Sequence, residues 1–469
     1  MMTAVQPTWN PAEIANASWK RRGKDYHDAP TMAVFIVAHM VLALAMHQVR
    51  VLATVHALAV LALGISFAVR RKGHEKAVYV LAYISTSDVI WRMSRAGVFW
   101  EYGKYAMVVV LLVLLARGRR HPGLATLAGL YWLMLMPSVV LTVTALGFGG
   151  QLRRDLSFNL SGPLVLAVAV IYFSGYAERR FSIAKVLAWA IYPVVGCFTI
   201  ASYSTLTALQ LNFGDFANMV TSGGFGPNQV SSILGLGVFF CLVLAIKVPD
   251  PWLRVLTIGT AAALSTQAVL TFSRGGVLNV VVAMSFFGFH SLTSPRVRRN
   301  FFAVLVAGGL VGTFLLFPRL NDWTKGMVSQ RFTSFDTTGR QSLAEADLRL
   351  FLDNPALGVG PGQARYQRVS GLSRSVASHT EFTRLLAEHG AMGLTALILI
   401  VIMAIRAYQL APSLLAKGWV SSFAAWTLAN MAHSGMRLVA MSFVFGIAML
   451  PFHQWRRMRG DQGTEPEGA

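Results

Sequence analysis

Apolar stretches of about 20 residues recur along this chain from residue 31 to residue 453, and they leave few folds open. A stretch of that length crosses the ~30 Å hydrocarbon core of a bilayer as a helix, with its backbone polar groups satisfied internally. Spans read at 31–48, 50–69, 77–92, 97–116, 123–147, 157–176, 184–204, 230–247, 252–272, 275–293, 301–318, 391–408, 418–433 and 437–453. The expected fold is all-α: a polytopic membrane protein of about fourteen transmembrane helices. Charge agrees, since only 13% of the 469 residues are charged, about half the share in a soluble domain. The polar leader precedes a span with no small-residue cleavage site, so the first span is read as a retained anchor.

The same alternation assigns sides. With the leader inside, the inner loops hold Arg70-Arg71-Lys72, Arg117-Gly118-Arg119-Arg120, Arg179-Arg180, Arg296-Val297-Arg298-Arg299 and the tail Arg456-Arg457-Met458-Arg459. Such clustering is what cytoplasmic loops carry, and it accounts for the net charge of +21 without nucleic acid as a partner. Both termini are then cytoplasmic. The organisation reads as a leader over 1–30, helices over 31–318, a large outer loop of short helices over 319–390, three helices over 391–453 and a tail over 454–469. Cys197 and Cys241 lie inside spans and indicate neither a disulfide framework nor a metal site. No internal repeat of the kind that builds many transporters is visible.

Outward-facing arginines run against this sorting and need another reason. Asp88 and Arg92, four apart, and Glu101 and Lys104, three apart, suit an ion-pair network between the third and fourth spans. Arg274 stands in a tight turn, Thr271-Phe272-Ser273-Arg274-Gly275-Gly276, where glycines allow a sharp reversal and close approach to a ligand. A turn needs the glycines but not the arginine, which points to an anion. Asn228 and Gln229 open the following span after the loop Thr221–Pro227, and suit either sugar hydroxyls or a helix cap. His433 and Arg437, at the outer end of the thirteenth span, either extend an anion site or face headgroups.

The large loop holds the remaining candidates. Thr338-Gly339-Arg340-Gln341 opens a helix that Asn354-Pro355 stops, with Thr338 as cap and Gln341 reaching back. A cation in a first helical turn is electrostatically unfavourable, so Arg340 is placed either for an anion or for Glu345 or Asp347. Leu357-Gly358-Val359-Gly360-Pro361-Gly362 has no Lys-Ser/Thr after it, so it is a shaped turn and not a nucleotide loop. Ser378-His379-Thr380-Glu381 reads as a capping box that makes His379 the first helical residue. The helix dipole would hold the imidazole neutral, as a general base requires, with an ordinary surface histidine as the other reading. His389, before the helix-ending Gly390, reads as structural.

In order, the Ser-Arg-Gly turn, Gly339-Arg340, Asp353-Asn354-Pro355-x-Leu357-Gly358-Val359-Gly360-Pro361-Gly362, Ser378-His379-x-x-Phe382 and Glu388-x-Gly390-x-x-Gly393-Leu394 resemble the O-antigen ligase and Wzy-type polymerase superfamily. The resemblance runs from about Gly226 to Leu394. It implies a GT-C-type glycosyltransferase of the bacterial inner membrane. The implied reaction moves a glycan from polyprenyl (undecaprenyl) diphosphate to an acceptor hydroxyl at the outer face. The implied partners are the bilayer, the lipid-linked glycan and a glycan or glycolipid acceptor. By motif, Arg274 and Arg340 would hold the diphosphate and His379 would activate the acceptor. Thr380 stands where the family usually has Asn, which bears on the acceptor. No outer carboxylates have Asp-x-Asp spacing, so an inverting reaction without metal or other cofactor is expected. A flippase for lipid-linked sugars is the alternative, and it would place ionisable residues at mid-bilayer.

Overall fold

The computed structural model describes residues 26–117, 123–175, 182–214, 216–291, 295–333, 339–368, 377–433 and 435–451. No strand occurs among them. Helices α1 (Ala29–Gln48), α2 (Arg50–Val69), α3 (His74–Met93), α4 (Tyr102–Arg117), α5 (Ala125–Met134), α6 (Val139–Leu146), α7 (Gly150–Ser174) and α8 (Ile183–Thr207) come first. Helices α9 (Pro227–Lys247), α10 (Pro251–Leu270), α11 (Arg274–Ser291) and α12 (Pro295–Leu310) follow. Among the described residues, nine helical segments are long and apolar enough to cross a membrane. They are Ala29–Gln48, Arg50–Val69, Ala125–Leu146, Gly150–Ser174, Ile183–Thr207, Pro227–Lys247, Pro251–Leu270, Val297–Trp323 and Glu381–Leu410.

Local signals set many of these ends. Asp28 caps α1 by accepting from Thr31 N, and Asp250 caps α10 by accepting from Trp252 N and Leu253 N. Each is followed within two residues by a proline inside the first turn, where the missing N–H costs nothing. Helix α9 is the centre of the bundle, 89% buried along its span, and packs on α8, α10 and α11. Helix α1, 17% buried, lies at the periphery.

The described part of the loop is helical in pieces. Helix α12 runs on through a π-helical segment, Val311–Leu316, into α13 (Phe317–Trp323), so the helix extends past Arg319, where the loop is expected to begin. Then come α14 (Met327–Thr333), α15 (Arg340–Asp353), α16 (Ala364–Gln367), α17 (Glu381–Leu410), α18 (Leu414–Met431) and α19 (Val439–Ala448). Asn354 is the C-cap of α15, as its Asn-Pro signal predicts. Gly390 breaks α17 with φ 60°, so Glu381–His389 is a helix of the loop and the apolar remainder is the span.

The Gly-Pro turn docks on that break. Gly358, Gly360 and Gly362 all take positive φ. Val359 N donates to Ala387 O, Gly360 N to Glu388 O, and Ala391 N to Pro355 O. A Cβ on Gly390 would stand 2.6 Å from Gly358 N, so neither glycine tolerates a side chain. The interruption between α5 and α6 receives the same assembly from the other side. There Ser138 meets His389 Nδ1 at 2.5 Å, and Thr142 Oγ1 donates to Pro361 O. His389 is fully buried and structural, as expected.

Candidate functional site

One end of the bundle gathers five separate pieces of chain: the α10–α11 turn, the start of α9, the start of α15, the segment before α17 and the α18–α19 link. The turn differs from its sequence reading in one respect. Its left-handed residue is Phe272, φ 56°, and the glycines lie inside α11. Phe272 is held there by Arg331, whose Nε donates to its carbonyl at 3.1 Å, and by stacking on Phe213. The glycines serve close packing instead. A Cβ on Gly276 would meet Ser231 O at 2.0 Å, and one on Gly275 would meet the His433 ring at 2.4 Å. Arg274, between the two features, is half-buried at the first residue of α11.

Arg340 is the first residue of α15, after a left-handed Gly339 that offers no side-chain cap. Thr338 falls outside the described residues, and Gln341 does not reach back: its Nε2 donates forward to Glu345. Neither expected carboxylate pairs with Arg340. Asp347 holds Arg368, and Arg340 Nη2 donates to Asn228 Oδ1 at 3.1 Å. Asn228 also accepts from Ser273 Oγ at 2.8 Å, so it ties α9 to both the turn and the loop. It is not a cap, because the N-cap of α9 is Gly226. Burial, then Arg331, then Arg274 lower the pKa of Arg340, yet an arginine stays protonated at neutral pH. Guanidiniums crowded in this way favour an anion.

His379 lies half-buried beside these cations, two residues before α17. The capping box is shifted from its predicted place. Thr380, not Ser378, caps the helix, accepting from Thr383 N at 3.1 Å. Ser378 is taken by Arg368, whose Nη2 donates to its Oγ at 2.5 Å. Arg368 Nε and Nη2 in turn meet Asp347 Oδ1 at 2.8 and 2.6 Å, and Thr383 Oγ1 donates to Asp347 Oδ2. The Ser378 carbonyl accepts from Arg437 Nη2 at 2.6 Å. The residue before His379 is therefore held from both sides, while the imidazole has no hydrogen-bond partner among the described residues. Its pKa falls to about 4, first from burial and then from Arg437, Arg340 and Arg368, so it is neutral at pH 7. The expected neutral histidine is present, with burial and arginines as the cause in place of a helix dipole.

The other candidates divide. His433 is buried, its Nε2 on Asn279 Oδ1 at 2.9 Å. That bond and its contact with Gly275 make it part of the packing under Arg274. Gln229 accepts from Arg92 at 3.5 Å, and Arg92 pairs with Asp88 at 3.0 Å. With Lys104 on Glu101 at 2.5 Å, this is the ion-pair network expected of the third and fourth spans. Arg92 also donates to the Arg437 carbonyl, which links that network to the site. Arg384, bound to Glu381 and Glu388, lies beneath it, and Glu381 accepts from Met436 N. Arg331 and Arg368 were not singled out by sequence; their only signal is that they are outer-loop arginines, a group too large to rank.

Residues 259–398 match a family model described as O-Antigen ligase, a stretch that includes Arg274, Arg340 and His379. No curated protein matches the chain.

Proposed function

We propose that this protein, which carries an O-antigen ligase family domain over residues 259–398, is a glycosyltransferase using a polyprenyl-diphosphate-linked glycan. In this reading the chain crosses the bacterial inner membrane about fourteen times with both termini cytoplasmic, and the site faces outward. Nucleotide sugars are absent there, so the donor must bring its own leaving group. The acceptor hydroxyl attacks the anomeric carbon and inverts it. The anomeric C–O bond breaks, and its electron pair leaves on the diphosphate. Arg274 and Arg340 neutralise that charge, with Arg437 beside them, in positions set before the reaction begins. His379 takes the hydroxyl proton and becomes the imidazolium. No metal takes part.

The observation that carries this reading is a half-buried, neutral imidazole without a hydrogen-bond partner among the described residues, set beside crowded guanidiniums. Arg340 is crowded by two further guanidiniums, Arg331 and Arg274, an arrangement that suits an anionic group. Whether the acceptor is a glycolipid core, making a ligase, or a growing chain, making a polymerase, lies with the surroundings of Thr380. The test is reconstitution of the full chain in vesicles holding a polyprenyl-diphosphate glycan and an acceptor. Transfer with release of polyprenyl diphosphate supports the proposal. Lipid-linked glycan that crosses the bilayer unreacted would identify a flippase instead.

A further inference from the structure

A large cavity lies at the opposite end of the bundle from the arginine cluster. It measures about 650 Å³, between α1, α2, α3 and α8, within the ~300–1,000 Å³ usual for small-molecule sites. Its mouth is formed by the starts of α1, α3 and α8 and the end of α2, where Lys76, Lys185 and His27 line it. Asp28 is also there, with one carboxylate oxygen engaged in capping α1. The walls below are apolar, with Leu63 and Phe67 on α2 and Trp189 on α8. Leu63, on the cavity wall, is 51% exposed.

Its floor is polar but complete. Trp91 Nε1 donates to His56 Nδ1 at 2.9 Å, and His56 Nε2 meets Tyr83 OH at 2.9 Å. Tyr83 OH meets His39 Nε2 at 3.1 Å, and His39 Nδ1 meets Phe35 O at 2.7 Å. One assignment of protons satisfies every member: indole to His56, His56 to Tyr83, Tyr83 to His39, His39 to the carbonyl. The floor therefore asks nothing of an occupant but contact with ring faces. From Phe67 at the mouth to His56 at the floor is 11 residues of helix, or about 16 Å. That is close to half of the ~30 Å hydrocarbon core, the depth of one leaflet.

We infer that this cavity holds an acyl chain of an anionic phospholipid from the leaflet at the α1 N-terminal end, with the phosphate between Lys76 and Lys185. A cationic mouth at headgroup level, an apolar body and a satisfied floor match such a lipid and no free polar solute. The site is remote from the arginine cluster and independent of its chemistry.

The test uses the full chain in nanodiscs with phosphatidylglycerol bearing a diazirine near its acyl terminus. Photolysis is expected to label the peptides carrying Leu63 and Trp189. Unlabelled phosphatidylglycerol should compete, and phosphatidylcholine or inorganic phosphate at equal concentration should not. Lys76→Gln with Lys185→Gln should lower labelling about tenfold. Leu63→Trp, at an exposed position that tolerates bulk, should fill the body and abolish labelling there. Labelling spread evenly over the outer helices and indifferent to these variants would overturn the inference. So would competition by phosphate, which would indicate a free anion, or equal competition by phosphatidylcholine. A cavity that stays unlabelled in the full chain would mean that protein already fills it, and would overturn it too.

Discussion

Asp347→Asn probes how the site keeps its base in place. Asp347 and Arg368 are almost wholly buried, at 1% and 2% exposure, so their charges compensate each other away from water. At 2.6 Å and an effective dielectric of about 20, their gross attraction is about 6 kcal/mol. Asparagine keeps an acceptor for Arg368 but no charge. The net loss should approach the ~3–5 kcal/mol of a buried pair deprived of one member. The apparent melting temperature of the purified protein should fall by roughly 5 °C or more. Transfer should fall as well, because Arg368 then no longer fixes Ser378 beside His379. The double variant Asp347→Asn, Arg368→Met separates the two effects. It removes the stranded charge, so stability should return in large part, while transfer stays low. An Asp347→Asn protein that melts and reacts like the wild type would refute the brace. A double variant that regains full transfer would show that the pair serves stability alone.

Two further expectations concern charge. Arg340→Gln should weaken donor binding roughly 10- to 150-fold, the value of a hydrogen bond to a charged group, measured by titration with the polyprenyl-diphosphate glycan. The same change should leave thermal stability equal or higher, since it relieves crowding by Arg274 and Arg331 and removes a cation from the first turn of α15; a destabilised variant would mean that Arg340 serves the fold. The pH profile follows from a histidine pKa of about 4. The imidazole is neutral above that value and loses its basic form below it, so the acidic limb of kcat/KM should lie near 4 and not near 6.5. A bound diphosphate offsets the arginines, so the limb in kcat should lie higher. A kcat/KM limb near 6.5 would contradict the buried, arginine-flanked setting of His379.

Much of the fold can be read from apolar length alone, because a bilayer permits few alternatives to a helix. The edges of α2 follow from apolar length and the stop at Asn354-Pro355 from local chemistry, and both agree with the structure. The failures are tertiary. In sequence Ser378, with Glu381 three residues on, is the expected cap; Arg368, ten residues away, captures the serine and leaves the cap to Thr380. The glycines after Arg274 suit a turn, yet the turn is made by Phe272, an improbable left-handed residue that Arg331 and Phe213 hold in place. What Gly275 and Gly276 provide is closeness to His433 and Ser231, and no pattern along the chain announces a neighbour from another helix. Arg274 and Arg340 stand out as candidates in sequence because each breaks a local rule of charge, and His379 because it follows a capping serine in the outer loop. Arg368 breaks none that sequence displays, and its role depends wholly on where Asp347 and Ser378 lie.

The central claim is that His379 acts as a base beside a guanidinium-held diphosphate. It is tested most directly by single-turnover transfer from polyprenyl-diphosphate glycan, comparing wild type with His379→Ala while donor affinity is measured in parallel. The account predicts transfer slower by about 10²–10⁴-fold, the usual worth of a positioned base, with donor affinity unchanged or tighter. Undiminished transfer by His379→Ala, with the donor still bound, would contradict it.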